Sequence, residues 1–295
     1  MKKFFVLDAS GYLFRAYFAL PELTNQEWEN QNAVFGFFRM LLKLFQENPD
    51  YFLITWDHPW KTKRHSMYEQ YKANRPEVPD DFKNQIKNVK KTVQELNIPN
   101  IEIEWYEADD IIKTITRNNS LQNLSTIIVS SDKDLKQLVE KNVLFYEPMK
   151  GKYSSEDDIL SLYGFKPQYI LDYLALVGDS SDNVPWVNWI WEKTAQKLIK
   201  EYGTLENLYQ NLDNIDQKTA EKLTQWKENA FAGKELIKLY DIPDLNNEDV
   251  SRFSFSPDMD KIKSKLVDEF GFKSVESIIN NLKKSYSGGK QESLF

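Results

Sequence analysis

The chain of 295 residues lacks cysteine entirely and has only two histidines, His58 and His65. Without cysteine the protein can form neither a disulfide framework nor a cysteine-ligated zinc site, and it cannot use a thiol nucleophile. Two histidines exclude a three-histidine metal site and disfavour a Ser-His-Asp triad. Any metal chemistry must therefore use carboxylates, whose oxygen atoms suit Mg²⁺ or Mn²⁺.

Long hydrophobic runs are also absent. No apolar stretch approaches the ~20 residues that a membrane span needs, and Asp8 interrupts the apolar N-terminal run. Hydrophobic residues make up 41% of the chain and charged residues 28%, which is typical of globular proteins. We expect a cytoplasmic protein that does not enter the membrane, with one large domain or two ordinary ones.

Three β-rich apolar runs each end in aspartate: 4–8, 51–57 and 126–132. Helical patterns at 33–45 and 82–96 alternate with them, which predicts an α/β fold with a parallel sheet. Open α/β sheets bind ligands at the carboxyl ends of their strands, so the three aspartates should meet at one edge. One such aspartate is commonly a helix cap or a turn residue, but three together indicate a carboxylate cluster.

Further acids lie in short clusters at 107–110, 132–134 and 179–182. N-capping and helix-dipole stabilisation, worth ~0.5–2 kcal/mol, would explain any one cluster alone. They do not explain why the acids gather where the strands end. Because packed like charges are costly unless a cation neutralises them, the pattern predicts a pair of divalent metal ions.

Basic residues are concentrated in the segment 61–91, which has nine of them against four acids in a chain of net charge −7. Tyr68 and Tyr71 are interleaved and could stack on bases. A solvated helical face is the alternative interpretation. Because the segment directly follows a strand-end aspartate, we interpret it as a phosphate-binding element.

The chain becomes helical after about residue 160, with helical patterns at 169–176, 192–202, 204–212 and 219–240. A connector rich in Pro, Asn and Asp and a further helical pair at 258–284 follow. We therefore predict four parts: an α/β core at 1–160, a helical region at 161–245, a helical extension at 246–284 and a flexible tail at 285–295.

Several motifs occur in order along the chain: Tyr71-Lys-Ala-Asn-Arg75-Pro, Glu107-Ala-Asp-Asp110, Ser131-Asp-Lys-Asp134-Leu, Leu176-Val-Gly-Asp-Ser-Ser-Asp-Asn-Val-Pro185 and Glu192-Lys-Thr-Ala195. Together they resemble the bacterial 5′–3′ exonuclease family, which comprises the N-terminal nuclease domain of DNA polymerase I and stand-alone flap endonucleases. The resemblance runs from Lys3 to about residue 240. The chain ends where a polymerase would continue, as expected for a stand-alone nuclease or an isolated domain.

The resemblance implies a PIN-like nuclease core with a helical arch at about 61–96, followed by a helix-hairpin-helix region that grips duplex DNA. It implies two Mg²⁺ or Mn²⁺ ions per site, and a monovalent cation in the hairpin region is a candidate. The implied metal-binding residues are Asp8, Asp57, Glu107, Asp109, Asp110, Asp132, Asp134, Asp179 and Asp182. The implied catalytic residues are Lys72, Arg75 and Arg64. Candidate DNA-binding residues are Tyr68, Tyr71, Lys61, Lys63, Trp186, Trp189, Trp191, Lys193 and Thr194.

The implied activity is two-metal hydrolysis of DNA phosphodiesters at 5′ ends and 5′ flaps, in primer removal and repair, by a monomer. One alternative is a non-catalytic, structure-specific DNA-binding protein on a nuclease scaffold. The complete set of acids argues against it, whereas tryptophan at the hairpin positions where the family has glycine argues for it if those tryptophans are real. A second alternative is a PIN-type ribonuclease, although those proteins are typically shorter and lack a long helical second half.

Glycine is scarce, because 10 of 295 residues are about 3.4% of the chain against a usual ~7%, whereas tryptophan occurs eight times. The family has glycine where this chain has Trp186, Trp189 and Trp191, and usually also at Trp60 and Trp105. Positions 28 and 226 are further candidates. The tryptophans are either real, so that the hairpin is remodelled, or UGA codons that mean glycine in the source and were translated as tryptophan. One decoding error explains several identical exchanges better than independent drift does.

The C-terminal sequence Gln291-Glu-Ser-Leu294-Phe295 is similar to the short peptide by which bacterial replication proteins bind the sliding clamp. Two apolar side chains on a Gly-containing tether could anchor in a hydrophobic pocket, and Gln291 could hydrogen-bond at its rim. The alternative is a frayed terminus that ends by chance in two apolar residues. The clamp is therefore a candidate partner.

Overall fold

The computed structural model describes residues 1–25, 27–121, 124–246 and 248–287. Within these residues one sheet of six strands forms the centre of the first half of the chain. The strands are β1 (Lys3–Asp8), β2 (Tyr51–Trp56), β3 (Asn100–Glu102), β4 (Ser125–Val129), β5 (Val143–Glu147) and β6 (Lys152–Ser154). Their order is β3-β2-β1-β4-β5-β6, and all neighbours are parallel except β5 and β6.

The helices surround this sheet and build the second half of the chain. They are α1 (Ala9–Ala19), α2 (Asn32–Phe45), α3 (Lys63–Met67), α4 (Asp80–Glu95), α5 (Ala108–Leu121), α6 (Glu156–Tyr163), α7 (Ile170–Val177), α8 (Glu192–Tyr202), α9 (Leu205–Gln210), α10 (Gln217–Gln225), α11 (Lys227–Ile237), α12 (Met259–Lys263) and α13 (Glu276–Ser287). A π-helical segment, Ser264–Glu269, continues α12. The predicted helix at 219–240 is wrong as a single element, because Trp226 separates α10 from α11.

The central strands are buried on both faces, as their continuous apolar sequences predict. Phe4 and Val6 of β1 point into the apolar core formed with α5 and α7, whereas Phe5 and Leu7 point into the core formed with α2 and α4. A one-residue shift of register would move each apolar set into the core that the other set fills, where its side chains do not pack. This fixes the position at which each strand ends. The predicted α/β core followed by a helical region is confirmed.

The segment after α11 returns to the sheet rather than forming a separate extension. The backbone N–H of Phe255 donates to the carbonyl of Asp50 at 3.0 Å, and the ring of Phe255 contacts that of Phe45. The Tyr286 hydroxyl donates to the Phe45 carbonyl at 2.9 Å. Residues of α12 and α13 belong to the same apolar core as α2. The last described helix is therefore part of the packing that holds the sheet.

The predicted arch segment, 61–96, consists of α3, a tight turn at 68–75, a loop and α4. Buried Phe82, Val89 and Val93 place α4 in the core beside α2. Among the described helices, none is long and apolar enough to cross a membrane.

Candidate active site

Three neighbouring strands deliver aspartates to one edge of the sheet. Asp8 is the last residue of β1, Asp57 directly follows β2, and Asp132 comes shortly after β4. Because β1 lies between β2 and β4, the carboxyl ends of these strands are adjacent. Asp8 also caps α1, with its Oδ1 accepting from the Ser10 N–H at 3.2 Å, and the Ser130 hydroxyl donates to its Oδ2 at 2.7 Å. The structure thus brings the strand-end acids together.

Glu107 and Asp109, at the N-terminus of α5, add two more acids to this edge. The Ala108 N–H donates to Asp57 Oδ1 at 2.9 Å and so ties the start of α5 to the end of β2. Burial raises the pKa of Asp109 well above its usual value, and the charges of Asp132, Asp8, Asp57 and Glu107 raise it further. The acid cluster is therefore contiguous from β2 across α5 to the end of β4.

Two turns supply the remaining acids. The Asp134 N–H donates to Asp132 Oδ1 at 2.9 Å, which holds these two carboxylates side by side. The second turn follows α7 at Gly178, whose φ is +69° and whose missing Cβ would lie 2.9 Å from the Val184 carbonyl. Only glycine fits this bend without strain, and it directs the following residues, including Asp179 and Asp182, back to the cluster.

The electrostatics of the cluster favour protons or cations. Burial first, and then the charge of Asp57, raises the pKa of Asp8 to about 7. Burial also raises the pKa of Asp132 and of Asp134, and neighbouring carboxylates add to the effect. Asp134 Oδ1 is buried and has no hydrogen-bond partner among the described atoms. Unpaired buried carboxylates are costly, so this edge is suited to bind a cation.

The donor set fits a hard divalent cation, because it consists of carboxylate oxygens without a thiolate. In the described ranges, no three His, Asp or Glu side chains yet converge on one point closely enough to hold an ion together. Cationic and hydroxyl side chains lie between the carboxylates. Lys72 Nζ lies 3.1 Å from Glu107 Oε2 and 3.8 Å from Asp182 Oδ2.

Lys72 and Arg75 lie beside the acids. Arg75 pairs with Asp182 Oδ1. Burial acts to lower the pKa of Lys72, but the charges of Glu107, Asp57 and Asp182 outweigh it and raise the pKa. Lys72 also has a positive φ of 57°, and its N–H donates to the Asp182 carbonyl at 3.0 Å. Both cations are therefore held at the acid cluster by backbone and side-chain contacts.

Arg64 and Asp110, predicted as a catalytic and a metal-binding residue, pair with each other in the structure. Both are almost completely buried, and the guanidinium of Arg64 binds both carboxylate oxygens of Asp110. Arg64 also donates to Glu107 and to the carbonyls of Leu236 and Lys238. Since its donors are engaged inside the protein, Arg64 does not present them to a phosphate. Since both Asp110 oxygens accept hydrogen bonds, Asp110 does not present a free oxygen to a metal.

The candidate DNA-binding residues of the basic segment divide into exposed and buried ones. Lys61 and Lys63 are exposed, and Lys63 Nζ lies 4.0 Å from the centre of the Tyr240 ring. Tyr68 is partly buried against the core. Tyr71 is buried, and its hydroxyl donates to Glu107 Oε2 at 3.1 Å, so its ring is not free to stack on a base.

Three of the four basic residues of α4 pair with acids outside the acid cluster. Lys83 pairs with Asp80 at 2.8 Å, Lys90 with Glu102 at 2.7 Å and Lys91 with Glu95. The positive segment that the sequence suggested is therefore split. Its first half reaches the acids, and its second half is the solvated face that was the alternative interpretation.

The hairpin residues lie between α7 and the start of α8. The side chains of Trp186, Trp189 and Trp191 are exposed, and Lys193 is exposed in the first turn of α8. Thr194 is partly buried there. The tail residues Gln291, Leu294 and Phe295 lie outside the described residues.

Sequence reasoning missed several polar residues that hold the acids in place. Thr62 donates to Glu107 Oε1 at 3.1 Å, Ser130 donates to Asp8, and Lys133 Nζ lies 2.9 Å from Asp179 Oδ2. Lys133 lies inside the motif at 131–134 and Ser130 directly precedes it, so the motif could have indicated both residues. Thr62 gave none, because its partner lies 45 positions away in the chain.

Two family models cover most of the chain. The 5′–3′ exonuclease N-terminal resolvase-like domain matches residues 3–164, and the 5′–3′ exonuclease C-terminal SAM fold matches residues 165–257. The chain belongs to the 5′–3′ exonuclease family. The family predicted from the motifs, and with it a DNA 5′–3′ exonuclease that hydrolyses phosphodiester bonds, is confirmed, in preference to a non-catalytic scaffold or a PIN-type ribonuclease.

Curated relatives agree with this family. A 5′–3′ exonuclease of Aquifex aeolicus is 36% identical over 296 residues and is matched along the full length of both chains. DNA polymerase I of Caldicellulosiruptor bescii is 42% identical over 250 residues, which are 82% of this chain and 29% of the polymerase. The chain thus spans less than a third of the polymerases it matches.

Solved structures share the fold. The bacteriophage T5 5′-exonuclease with bound zinc has a TM-score of 0.67 at 17% identity and covers 97% of this chain and 99% of its own. The bacteriophage T5 flap endonuclease in complex with DNA and metal ions has a TM-score of 0.67 at 18% identity, covering 95% of this chain and all of its own. The catalytic core of Rad2 with a DNA substrate has a TM-score of 0.64 at 19% identity, covering 95% and 92%. These structures therefore share with this chain the fold of an α/β core followed by a helical second half.

Proposed function

We propose that this protein cleaves DNA at 5′ flaps and 5′ ends by two-metal phosphodiester hydrolysis. The observation that carries the proposal is the buried carboxylate cluster at the sheet edge, in which Asp134 has an unpartnered oxygen and Asp8, Asp109 and Asp132 have raised pKa values. Such a cluster is stable in its charged form only with cations beside it.

Eight acids would hold the two ions after the side chains reorient. Asp57, Glu107 and Asp109, together with Asp8, would hold one ion. The other position would use the acids of the two turns: Asp132, Asp134, Asp179 and Asp182. Bound Mg²⁺ or Mn²⁺ would supply an activated water and neutralise the charge that develops on the leaving oxygen.

Lys72 and Arg75 would bind the scissile phosphate. Their present partners are Glu107 and Asp182, both among the proposed metal ligands. With these carboxylates holding a metal ion, the two cations would be free to donate to phosphate oxygens instead. They would then stabilise the negative charge of the transition state.

Arg64 and Asp110 act as positioning residues in this proposal. Their buried pair joins α3 and α5 to the segment after α11. Through Glu107, which Arg64 also contacts, the pair fixes the orientation of one proposed metal ligand. This role replaces the catalytic and metal-binding roles predicted for them.

The helical second half would hold duplex DNA near the acids. The proposed contacts are the hairpin at 185–191 with Lys193 and Thr194, and Lys61 and Lys63 on the arch side. A monovalent cation bound in the hairpin region belongs to the same proposal. We place the activity in primer removal and repair in the cytoplasm, by a monomer recruited to the sliding clamp through Gln291, Leu294 and Phe295.

The test is cleavage of a labelled 5′-flap DNA in the presence of Mg²⁺. The protein should cut the flap near its junction, and the double variant Asp134→Asn, Asp182→Asn should not. Asp157→Asn, an exposed acid on α6, is the matched control and should retain full activity. Unchanged Mg²⁺-dependent cleavage by the double variant would overturn the proposal. An RNA flap in the same assay measures the preference for RNA ends.

A further inference from the structure

Three tryptophans occupy a backbone conformation that favours glycine. Trp28, Trp105 and Trp189 have φ angles of 64°, 72° and 66°. In this left-handed region the Cβ atom crowds the following carbonyl oxygen, a contact that glycine does not have. The other described non-glycine residues with positive φ are Lys72 and three asparagines, which tolerate the region through local hydrogen bonds. A bulky aromatic residue has no such compensation.

These three side chains also project into solvent, together with three more. The side chains of Trp28, Trp60, Trp105, Trp186, Trp189 and Trp191 are between 45% and 85% exposed. Tryptophan normally buries most of its large ring. Trp56 shows the usual placement, since it is 2% exposed and its ring centre lies 5.9 Å from that of Phe37.

Trp191 occupies a helix start, a position that favours glycine over tryptophan for a separate reason. It is the N-cap residue of α8, with φ −87° and ψ 165°, and its side chain makes no capping hydrogen bond. Ser, Thr, Asp, Asn and Gly are the residues that stabilise this position, because they bond or leave open the free N–H groups of the first turn. An indole ring can do neither.

We infer that the natural protein carries glycine at these six positions, because its gene reads the UGA codon as glycine. A single decoding rule explains why exposed tryptophans coincide with glycine-like backbone and why the sequence has eight Trp and only ten Gly. The inference does not extend to Trp56, or to Trp226, which is partly buried against the core and has φ −109°.

The exchange would alter the surface offered to DNA, a consequence that rests on the proposed function. Three of the six positions, 186, 189 and 191, lie in the hairpin that we propose to contact duplex DNA. With glycine the hairpin presents its main chain, whereas with tryptophan it presents three indole rings. The identity of the residues themselves does not depend on any activity and can be tested separately.

The first experiment reads the gene and the protein from the source cells. We expect TGA codons at 28, 60, 105, 186, 189 and 191 and a TGG codon at 56. Peptide mass spectra should show glycine at the six positions. TGG codons at 28, 105 and 189, or tryptophan in the peptides that contain them, would overturn the inference whether or not the protein cleaves DNA.

The second experiment uses the recombinant chain with the printed sequence. The triple variant Trp28→Gly, Trp105→Gly, Trp189→Gly should raise the melting temperature by several degrees, since it relieves three left-handed residues. Trp56→Gly is the control and should lower the melting temperature, because it removes a buried ring. A triple variant that melts below the printed sequence would count against glycine at these three positions.

Discussion

The guanidinium of Arg64 donates to both carboxylate oxygens of Asp110, with N–O distances of 2.8 and 2.9 Å, inside the protein. The same Asp110 accepts the Tyr240 N–H at 2.8 Å, and Arg64 donates to the Lys238 carbonyl at 2.9 Å. The pair therefore links the acid-bearing helix α5 with the chain that leaves α11. It makes the position of Glu107 depend on contacts with the helical second half.

Removing the charge of Arg64 should destabilise the fold strongly. Arg64→Met leaves Asp110 and Glu107 buried without their partner, which we expect to lower the free energy of unfolding by about 3–5 kcal/mol. Arg64→Lys should recover only part of this, because an ammonium cannot bond both oxygens in the planar geometry of a guanidinium. Arg252→Met is the control. Its surface pair with Glu248 is worth under about 1 kcal/mol. Equal losses of unfolding free energy for Arg64→Met and Arg252→Met in urea would contradict the prediction.

Asp110 and Asp134 should differ in metal binding, although both are buried acids. Asp134→Asn should remove at least one Mn²⁺ from the stoichiometry measured by calorimetry, since it deletes an unpartnered ligand oxygen. Asp110→Asn should keep the stoichiometry and lower stability instead, because its oxygens already bond Arg64. Loss of a metal ion from Asp110→Asn with the fold intact would show that Asp110 is a ligand.

Lys72 should contribute to the chemical step rather than to DNA affinity. Lys72→Met should lower kcat on a 5′-flap substrate by about 100-fold or more, as expected when a donor to a developing charge is removed. Lys83→Met is the matched control from the same basic segment, because Lys83 pairs with Asp80 on the surface. Equal kcat values for the two variants in single-turnover assays would contradict the role of Lys72.

In the presence of a metal chelator, the stability of the folded protein should fall as the pH rises toward neutrality. The pKa of Asp8 is raised in the folded protein from 3.8 to about 7, so between these values the folded state holds a proton that the unfolded state has lost. The stability gained from that proton is full below 3.8 and disappears as the pH passes through about 7. The raised pKa values of Asp109, Asp132 and Asp134 act in the same direction.

The measurement is the melting temperature as a function of pH, with EDTA and with Mg²⁺. The decline should be visible in EDTA and smaller with Mg²⁺, because the ion replaces the protons that neutralise the cluster. Asp8→Asn should flatten the EDTA curve. A melting temperature in EDTA that rises over the same interval would show that these carboxylates do not hold protons in the folded protein.

The C-terminal peptide should bind the sliding clamp of the same cell. A labelled peptide of residues 285–295 should increase in fluorescence anisotropy with the clamp, and Leu294→Ala with Phe295→Ala should abolish the change. A peptide with only Glu292→Ala serves as the control and should still bind. If the full chain binds the clamp equally well without its last five residues, the tail is not the binding element.

The sequence by itself determined the chemistry of the site and most of the elements that carry it. Apolar runs ending in aspartate indicated β1 and β2 and the edge at which Asp8 and Asp57 lie, because such runs are typical of buried parallel strands, whose carboxyl ends share one edge. The motif spacing then gave the family. The absence of cysteine and the shortage of histidine limited the metal ligands to carboxylates.

Only the tertiary structure decided which charged residues face the site and which face one another. Arg64, Lys72 and Lys90 are all cations of one segment, but their environments differ. Arg64 pairs with buried Asp110, Lys72 lies among the acids of the site, and Lys90 pairs on the surface with Glu102. The packing of α12 and α13 onto the sheet was likewise invisible in the helical pattern. The physical reason is common to both: charge and amphipathicity are local properties of the sequence, whereas the partner of a charge or an apolar face is set by distant segments that folding brings into contact.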